Sequence, residues 1–292
     1  MRQIALGILV TGLISTSAFA QEPTTSRLVT GGALAGVRFD TLALTAQAAA
    51  PAPAAAPAPE PPAKKVTGTV GADVPSSYYF RGYRQEFDPK FTFQPFVDVA
   101  VAGEKASFNV GLWNSFHTGS LKDDGAGYYE TDFYAAVTVA KIKTTYTAYT
   151  YPKLPSISDS AIQELMFSTS FSGKLAPSVA LAFELKKPAG LDKGIYLELG
   201  VNPAVPMKEG APVAITIPVK LGLSLKDYYF DANGDTTFGY FSAGVNVSHP
   251  LPHGDVHGGV TVYGFGDALK GYNVKEDSAG RVVGSVGFTV TF

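Results

Sequence analysis

The chain has 292 residues, a formal charge of -2 and a sequence pI of about 6.1, so no polybasic surface for nucleic acid or anionic lipid is implied. Cysteine is absent, which removes disulfide scaffolds, thiolate zinc sites and cysteine nucleophiles together.

At the N-terminus, Met1, Arg2 and Gln3 precede an apolar run from Ile4 to Ile14, and Ala18-Phe19-Ala20 supplies a small-x-small cleavage pattern before Gln21. Residues 1–20 are therefore expected to be an export signal. Beyond it no run of about eighteen apolar residues occurs, which excludes an ordinary spanning helix. A closed barrel is then the remaining way across a bilayer, because lipid leaves every unpaired backbone group unsatisfied.

Residues 21–64 include Ala48 to Ala56 and the prolines Pro51, Pro53, Pro57, Pro59, Pro61 and Pro62. That composition cannot pack a core and is expected to be a disordered or polyproline-like periplasmic tail. The short apolar piece Leu28 to Leu44 leaves a docked segment or plug open as the alternative, although Gly31, Gly32 and Gly36 disfavour a stable helix there.

From residue 65 the composition changes to Val, Phe, Tyr, Thr and Gly in alternating runs. About twelve runs are predicted, the even number expected of a bacterial barrel with both ends in the periplasm. They cover 66–85, 91–102, 106–117, 128–140, 142–151, 162–172, 178–187, 194–203, 212–226, 238–248, 255–265 and 280–292. Short connections such as Gly103 to Lys105 alternate with longer hydrophilic ones such as Gly119 to Gly127, Pro152 to Ala161, Asp227 to Thr237 and Gly266 to Ala279. The fold expected for 65–292 is an all-β, closed antiparallel up-and-down transmembrane barrel in the outer membrane.

Parity assigns faces because a strand repeats every two residues. In the ninth run Ile215, Ile217, Val219, Leu221 and Leu223 lie on one side, with Thr216, Lys220 and Ser224 on the other. A soluble β-sandwich would share this alternation, so parity alone leaves both folds open. The last run ends as Val286, Phe288, Val290 and Phe292 on one face, and a terminal aromatic suits a membrane-interface girdle. These four residues are the candidate signal for the barrel-assembly machinery, and outer-membrane lipids are the other expected partner.

Carried along the chain, parity turns Asp73, Tyr79, Arg81, Tyr83 and Gln85 of the first run inward. Trp113, Ser115, Glu130, Asp132, Tyr134, Tyr149, Tyr151 and Glu164 join them on the inner face. Arg81, the three carboxylates Glu130, Asp132 and Glu164, and several aromatics are thus expected to converge in the loop-side half of the lumen. Two readings stand: a salt-bridged lining, since Arg offers a forked donor to carboxylates, or a constriction that filters solutes by charge.

Ser76-Ser77-Tyr78-Tyr79-Phe80-Arg81-Gly82-Tyr83-Arg84-Gln85 resembles the S-D-Y-x-F-R-G-x-S-Q segment of the TorF-like porin family (Gcw_chp). Gly111-Leu112-Trp113-Asn114-Ser115, Glu130-Thr131-Asp132-Phe133-Tyr134, Tyr149-Thr150-Tyr151-Pro152 and Glu164 are similar in the same order. Ser77 stands where that family tends to have Asp, and Arg84 where it tends to have Ser. The resemblance implies an outer-membrane barrel, with solute passage as its suggested role.

Other motifs are weaker. Asp231, Asn233 and Asp235 resemble the start of a calcium loop, but Thr236 takes the usual Gly position, and a turn is the plainer reading. His249, His253 and His257 recur every four residues without helical geometry, which is no metal signature. Ser115, His117 and Asp132 are the best nucleophile set, and no G-x-S-x-G elbow accompanies them. No cofactor or metal is expected. The function expected is a narrow channel for small solutes with a mild preference for cations; a structural or adhesive barrel and an outer-membrane hydrolase are the alternatives.

Overall fold

Val, Ile, Phe, Tyr and Thr at alternate positions favour a pleated, half-buried backbone, and the computed structural model turns nearly every alternating run into a strand. It describes residues 65–85, 91–118, 128–151, 162–188, 190–231, 234–273 and 280–292. The export signal, the tail, and the Glu86 to Lys90, Gly119 to Gly127 and Pro152 to Ala161 connections lie outside the described residues, as does 274–279.

In chain order the strands are β1 (Lys65–Pro75), β2 (Tyr79–Phe80), β3 (Tyr83–Arg84), β4 (Phe91–Ala102), β5 (Ala106–Thr118) and β6 (Tyr128–Val139). There follow β7 (Ile142–Thr150), β8 (Ile162–Ser170), β9 (Ser178–Lys186), β10 (Ile195–Val201), β11 (Ala214–Thr216) and β12 (Val219–Lys226). The last are β13 (Phe230–Asp231), β14 (Gly234–Asp235), β15 (Phe238–Leu251), β16 (Gly254–Phe265), helix α1 (Asp267–Asn273) and β17 (Gly280–Thr291).

Every wall strand pairs antiparallel with its sequence neighbours, and β1 pairs with β17 from Thr69↔Thr291 to Pro75↔Ser285, which closes the sheet. β11 and β12 both pair with β15 and form one wall position interrupted at Pro218, which has no N–H to give the ladder. The wall is therefore a closed barrel of twelve strands. Phe292 completes the seam: its N–H and carbonyl exchange hydrogen bonds of 2.9 and 2.8 Å with Gly68.

The faces are inverted relative to a soluble fold. Val99, Val110, Phe133, Val260, Val286, Phe288 and Val290 are exposed on the outside, and Trp113, Glu130, Asp132, Tyr149 and Glu164 are buried inside. Closure settles what parity could not, since a sandwich would bury the apolar faces.

One predicted run is not a wall strand along its length. β1 ends at Pro75, and the chain then folds as the hairpin β2–β3, with Phe80↔Tyr83 and Tyr79↔Arg84 as its pairs. Arg81 (φ 46°) and Gly82 (φ 83°) form its two-residue turn, both in the left-handed region that such a hairpin requires. Tyr78, Tyr79, Phe80, Arg81 and Tyr83 are all buried, so alternation stops. The reason is position: the hairpin is inserted in the lumen, where both of its faces are covered by other parts of the barrel.

Helix α1, from a segment predicted to be loop, clamps this turn. Asn273 donates through Nδ2 to the Gly82 carbonyl at 2.7 Å and accepts through Oδ1 from the Arg84 N–H at 2.8 Å. Gly82 is required here twice: by its φ, and because a Cβ would stand 2.7 Å from Leu269 Cδ1 and 2.9 Å from Tyr240 Cβ. Gly82→Ala is expected to lower stability by about 1–3 kcal/mol. Urea unfolding of the detergent-solubilised barrel measures this, and an unchanged midpoint would contradict the turn's geometry.

Candidate functional site

Arg81 is the centre of the hairpin's attachment. Its guanidinium meets the Glu164 carboxylate of β8 in a fork, Nη1 to Oε2 at 2.6 Å and Nη2 to Oε1 at 2.8 Å. Nη1 also donates to the Tyr228 hydroxyl at 3.1 Å, and Tyr149 of β7 donates to Glu164 Oε1 at 3.2 Å. Three rings surround the same cation, with centroids 4.2 Å (Tyr196), 4.8 Å (Phe80) and 5.6 Å (Tyr228) from the guanidinium carbon. Burial works against the Arg81 charge, but the Glu164 carboxylate outweighs it and holds the pKa above its ordinary value.

The connection between β12 and β15 completes the cap. Tyr229 donates to the Arg81 carbonyl at 2.8 Å, and Tyr83 donates to the Tyr228 carbonyl at 3.0 Å. The Tyr83 ring packs on Tyr229 at 5.5 Å and edge-on to Tyr272 of α1 at 5.4 Å. Burial raises the pKa of Tyr83 and of Tyr229, and pushes Tyr272 up to about 12, so these phenols stay neutral donors at physiological pH.

Other predicted residues fall into separate groups. Trp113 lies 5.5 Å from Tyr78 of the inserted segment, close to the Glu130 and Asp132 positions. Both carboxylates are fully buried, and neither forms an ion pair among the described residues. Tyr79 stacks on Tyr263 and Phe265 at 5.4 and 5.6 Å. Tyr134 donates to Asp98 at 2.8 Å, away from the Arg81 cluster. Asp73 meets His257 Nε2 at 2.8 Å, and the other ring nitrogen of His257 meets Asp255 at 2.6 Å.

Sequence reasoning did not foresee the His257 bridge between two carboxylates, although Asp255 and His257 share parity and Asp73 was already assigned inward. Nor did it foresee Glu198, which takes Lys220 at 2.9 Å and the hydroxyls of Tyr196 and Tyr240 at 2.8 Å each. Tyr228, Tyr229 and Asn273 carry no periodic signal at all. Of the candidate nucleophile set, Ser115 faces Glu130 across the ladder and Asp132 faces Trp113, which makes Ser115 and Asp132 diagonal neighbours, and the His117 side chain lies outside the described residues. Asn233 and the Asp231 side chain are likewise outside them, while Asp235 accepts from Ser224 at 2.8 Å.

A cavity of about 220 Å³ adjoins the hairpin, lined by Tyr78, Tyr79 and Arg81 on one side and by Asp73, Glu198 and His257 among the wall residues.

No family model matches the chain, so the TorF-like family is not shown, and no curated protein matches its sequence. Among solved structures it is similar to a porin refined at 1.8 Å (10% identity, TM-score 0.30, covering 78% of this chain and 100% of that one). Salmonella typhi OmpF in complex with daunomycin is similar at 7% identity and TM-score 0.37, covering 78% and 97%. The Pseudomonas putida toluene transporter TodX is similar at 10% identity and TM-score 0.35, covering 94% of each chain. At these scores none of them bears on what this chain does.

Removing one member of a buried ion pair leaves a charge without a partner, at a cost of about 3–5 kcal/mol. Glu164→Ala is expected to lose that much by urea unfolding in detergent, whereas the paired replacement R81M/E164M is expected to recover most of it. Equal losses in both proteins would show that the ion pair is not what matters at this site.

Proposed function

We propose that this chain is an outer-membrane β-barrel that passes small solutes through a narrow lumen, and that the inserted hairpin holds it shut at the long-loop end. The observation that carries the reading is the Arg81–Glu164 pair, which ties a segment inside the lumen to the wall through side chains only. No backbone ladder joins β2–β3 to the main sheet. A hairpin of this size is not stable on its own, so its hold depends on those side-chain contacts and on the rings packed around them.

The apolar exterior supports a bilayer setting. Both the start of β1 and Phe292 lie at the short-turn end, which supports a periplasmic tail, with the hairpin at the outer mouth. The exposed C-terminal face, Val286 to Phe292, is the surface offered to the assembly machinery. We read the barrel as a channel and not an enzyme, since no G-x-S-x-G elbow accompanies Ser115.

Cation preference follows from what the wall retains. Arg81 belongs to the hairpin, whereas Glu130, Asp132 and Glu164 belong to β6 and β8. Withdrawal of the hairpin removes Arg81 and leaves Glu130, Asp132 and Glu164 on the wall together with Glu198, Asp73 and Asp255, against Lys220 and His257.

In planar bilayers the wild type is expected to stay mostly closed, and a variant with Ser76 to Gln85 replaced by a Gly/Ser linker is expected to conduct steadily, with reversal potentials favouring cations. A linker variant that folds but conducts no more than the wild type would overturn the plug; anion-favouring potentials would overturn the selectivity.

A further inference from the structure

We propose that Glu164, Tyr149 and Tyr196 form a receptor in the barrel wall for a guanidinium-bearing solute, and that Arg81 occupies it in cis as a surrogate. The inference rests on the channel reading above and names the class of solute it serves.

Three observations carry it. First, nearly all the recognition of the cation comes from outside the hairpin. The forked carboxylate is on β8, one aromatic face on β10, and the hydroxyl on the β12–β13 connection; Met166 adds its sulfur 3.8 Å from Nη2. A planar fork between a carboxylate and a ring face distinguishes guanidinium from a compact ammonium.

Second, the hairpin presents Arg81 from a left-handed backbone position, φ 46°, which disfavours side chains other than Gly, Asn or Asp. The turn thus accepts a conformational cost to aim this side chain into the wall.

Third, the receptor adjoins the lumen. Arg81, Met166 and Tyr196 line the 220 Å³ cavity, with Glu164 and Tyr149 buried behind them, so a solute in the cavity meets the Tyr196 edge of the cage first and reaches the carboxylate as Arg81 yields it. A solute that takes Glu164 from Arg81 removes the hairpin's ionic tie, so binding and opening are the same event.

The chain lacks cysteine, which allows a clean reporter. Ala182 is 1% exposed and is the cross-strand neighbour of both Met166 and Tyr196. In an A182C protein in detergent, N-ethylguanidinium is expected to raise labelling by a polar maleimide about tenfold, the scale of one charge-assisted contact. Potassium and ethylammonium at equal concentration should leave labelling unchanged, and in A182C/E164Q labelling should be fast with or without the ligand. As a second measurement, calorimetry should show R81A binding N-ethylguanidinium at least about tenfold tighter than R81A/E164Q. Labelling indifferent to N-ethylguanidinium, or raised equally by potassium, would overturn the proposal. Because both readouts are made without a current, a protein that binds but never conducts would sink the channel reading and leave the receptor standing. One that conducts without binding would do the reverse.

Discussion

Pairing of the first wall strand with the last is the constraint from which the rest of the structure follows. Until β1 meets β17, both are sheet edges with unpaired N–H and C=O groups, which a bilayer does not tolerate. Once they meet, the sheet has an inside and an outside, and every second residue is committed to one or the other. The terminal Phe292 takes part directly by bonding Gly68, so the end of the chain belongs to the seam.

Closure creates an interior too wide for wall side chains alone to fill. A barrel of this strand number lies between small filled barrels and broad porins. Here the gap is taken up by the chain itself. The β2–β3 hairpin, the Tyr228–Tyr229 connection and α1 meet around Arg81, and aromatic rings supply most of the packing. The arrangement resembles a soluble core set inside a membrane wall, with one forked ion pair and many phenol hydroxyls in place of a uniform apolar filling.

That filling is also where function concentrates. The wall strands are joined by backbone ladders all round the barrel, whereas the hairpin is held by side chains. Contacts of that kind can be exchanged for equivalent contacts from a solute without disturbing the frame. On the proposal made above, the wall acids and tyrosines serve two roles in turn, anchoring the hairpin when the lumen is empty and binding a cation when it is not.

Local alternation was enough to establish strand number, most strand boundaries, the outward Val/Phe/Leu faces and the inward placement of Trp113, Glu130, Asp132, Tyr149 and Glu164. A strand's two-residue period is a property of the chain itself and needs no partner to be read. The same reasoning carried the first run straight through Pro75 to Gln85 and put Tyr79, Arg81 and Tyr83 on a wall. Within a buried hairpin both faces touch protein, so alternation no longer reports direction, and the Arg81-Gly82 turn is visible only through its backbone angles. Which carboxylate Arg81 would choose, that His257 would sit between Asp73 and Asp255, and that Asn273 would hold Gly82 were decided by tertiary structure. Each joins residues far apart in sequence, and only the closed barrel's register and the insertion of the hairpin bring them within bonding distance.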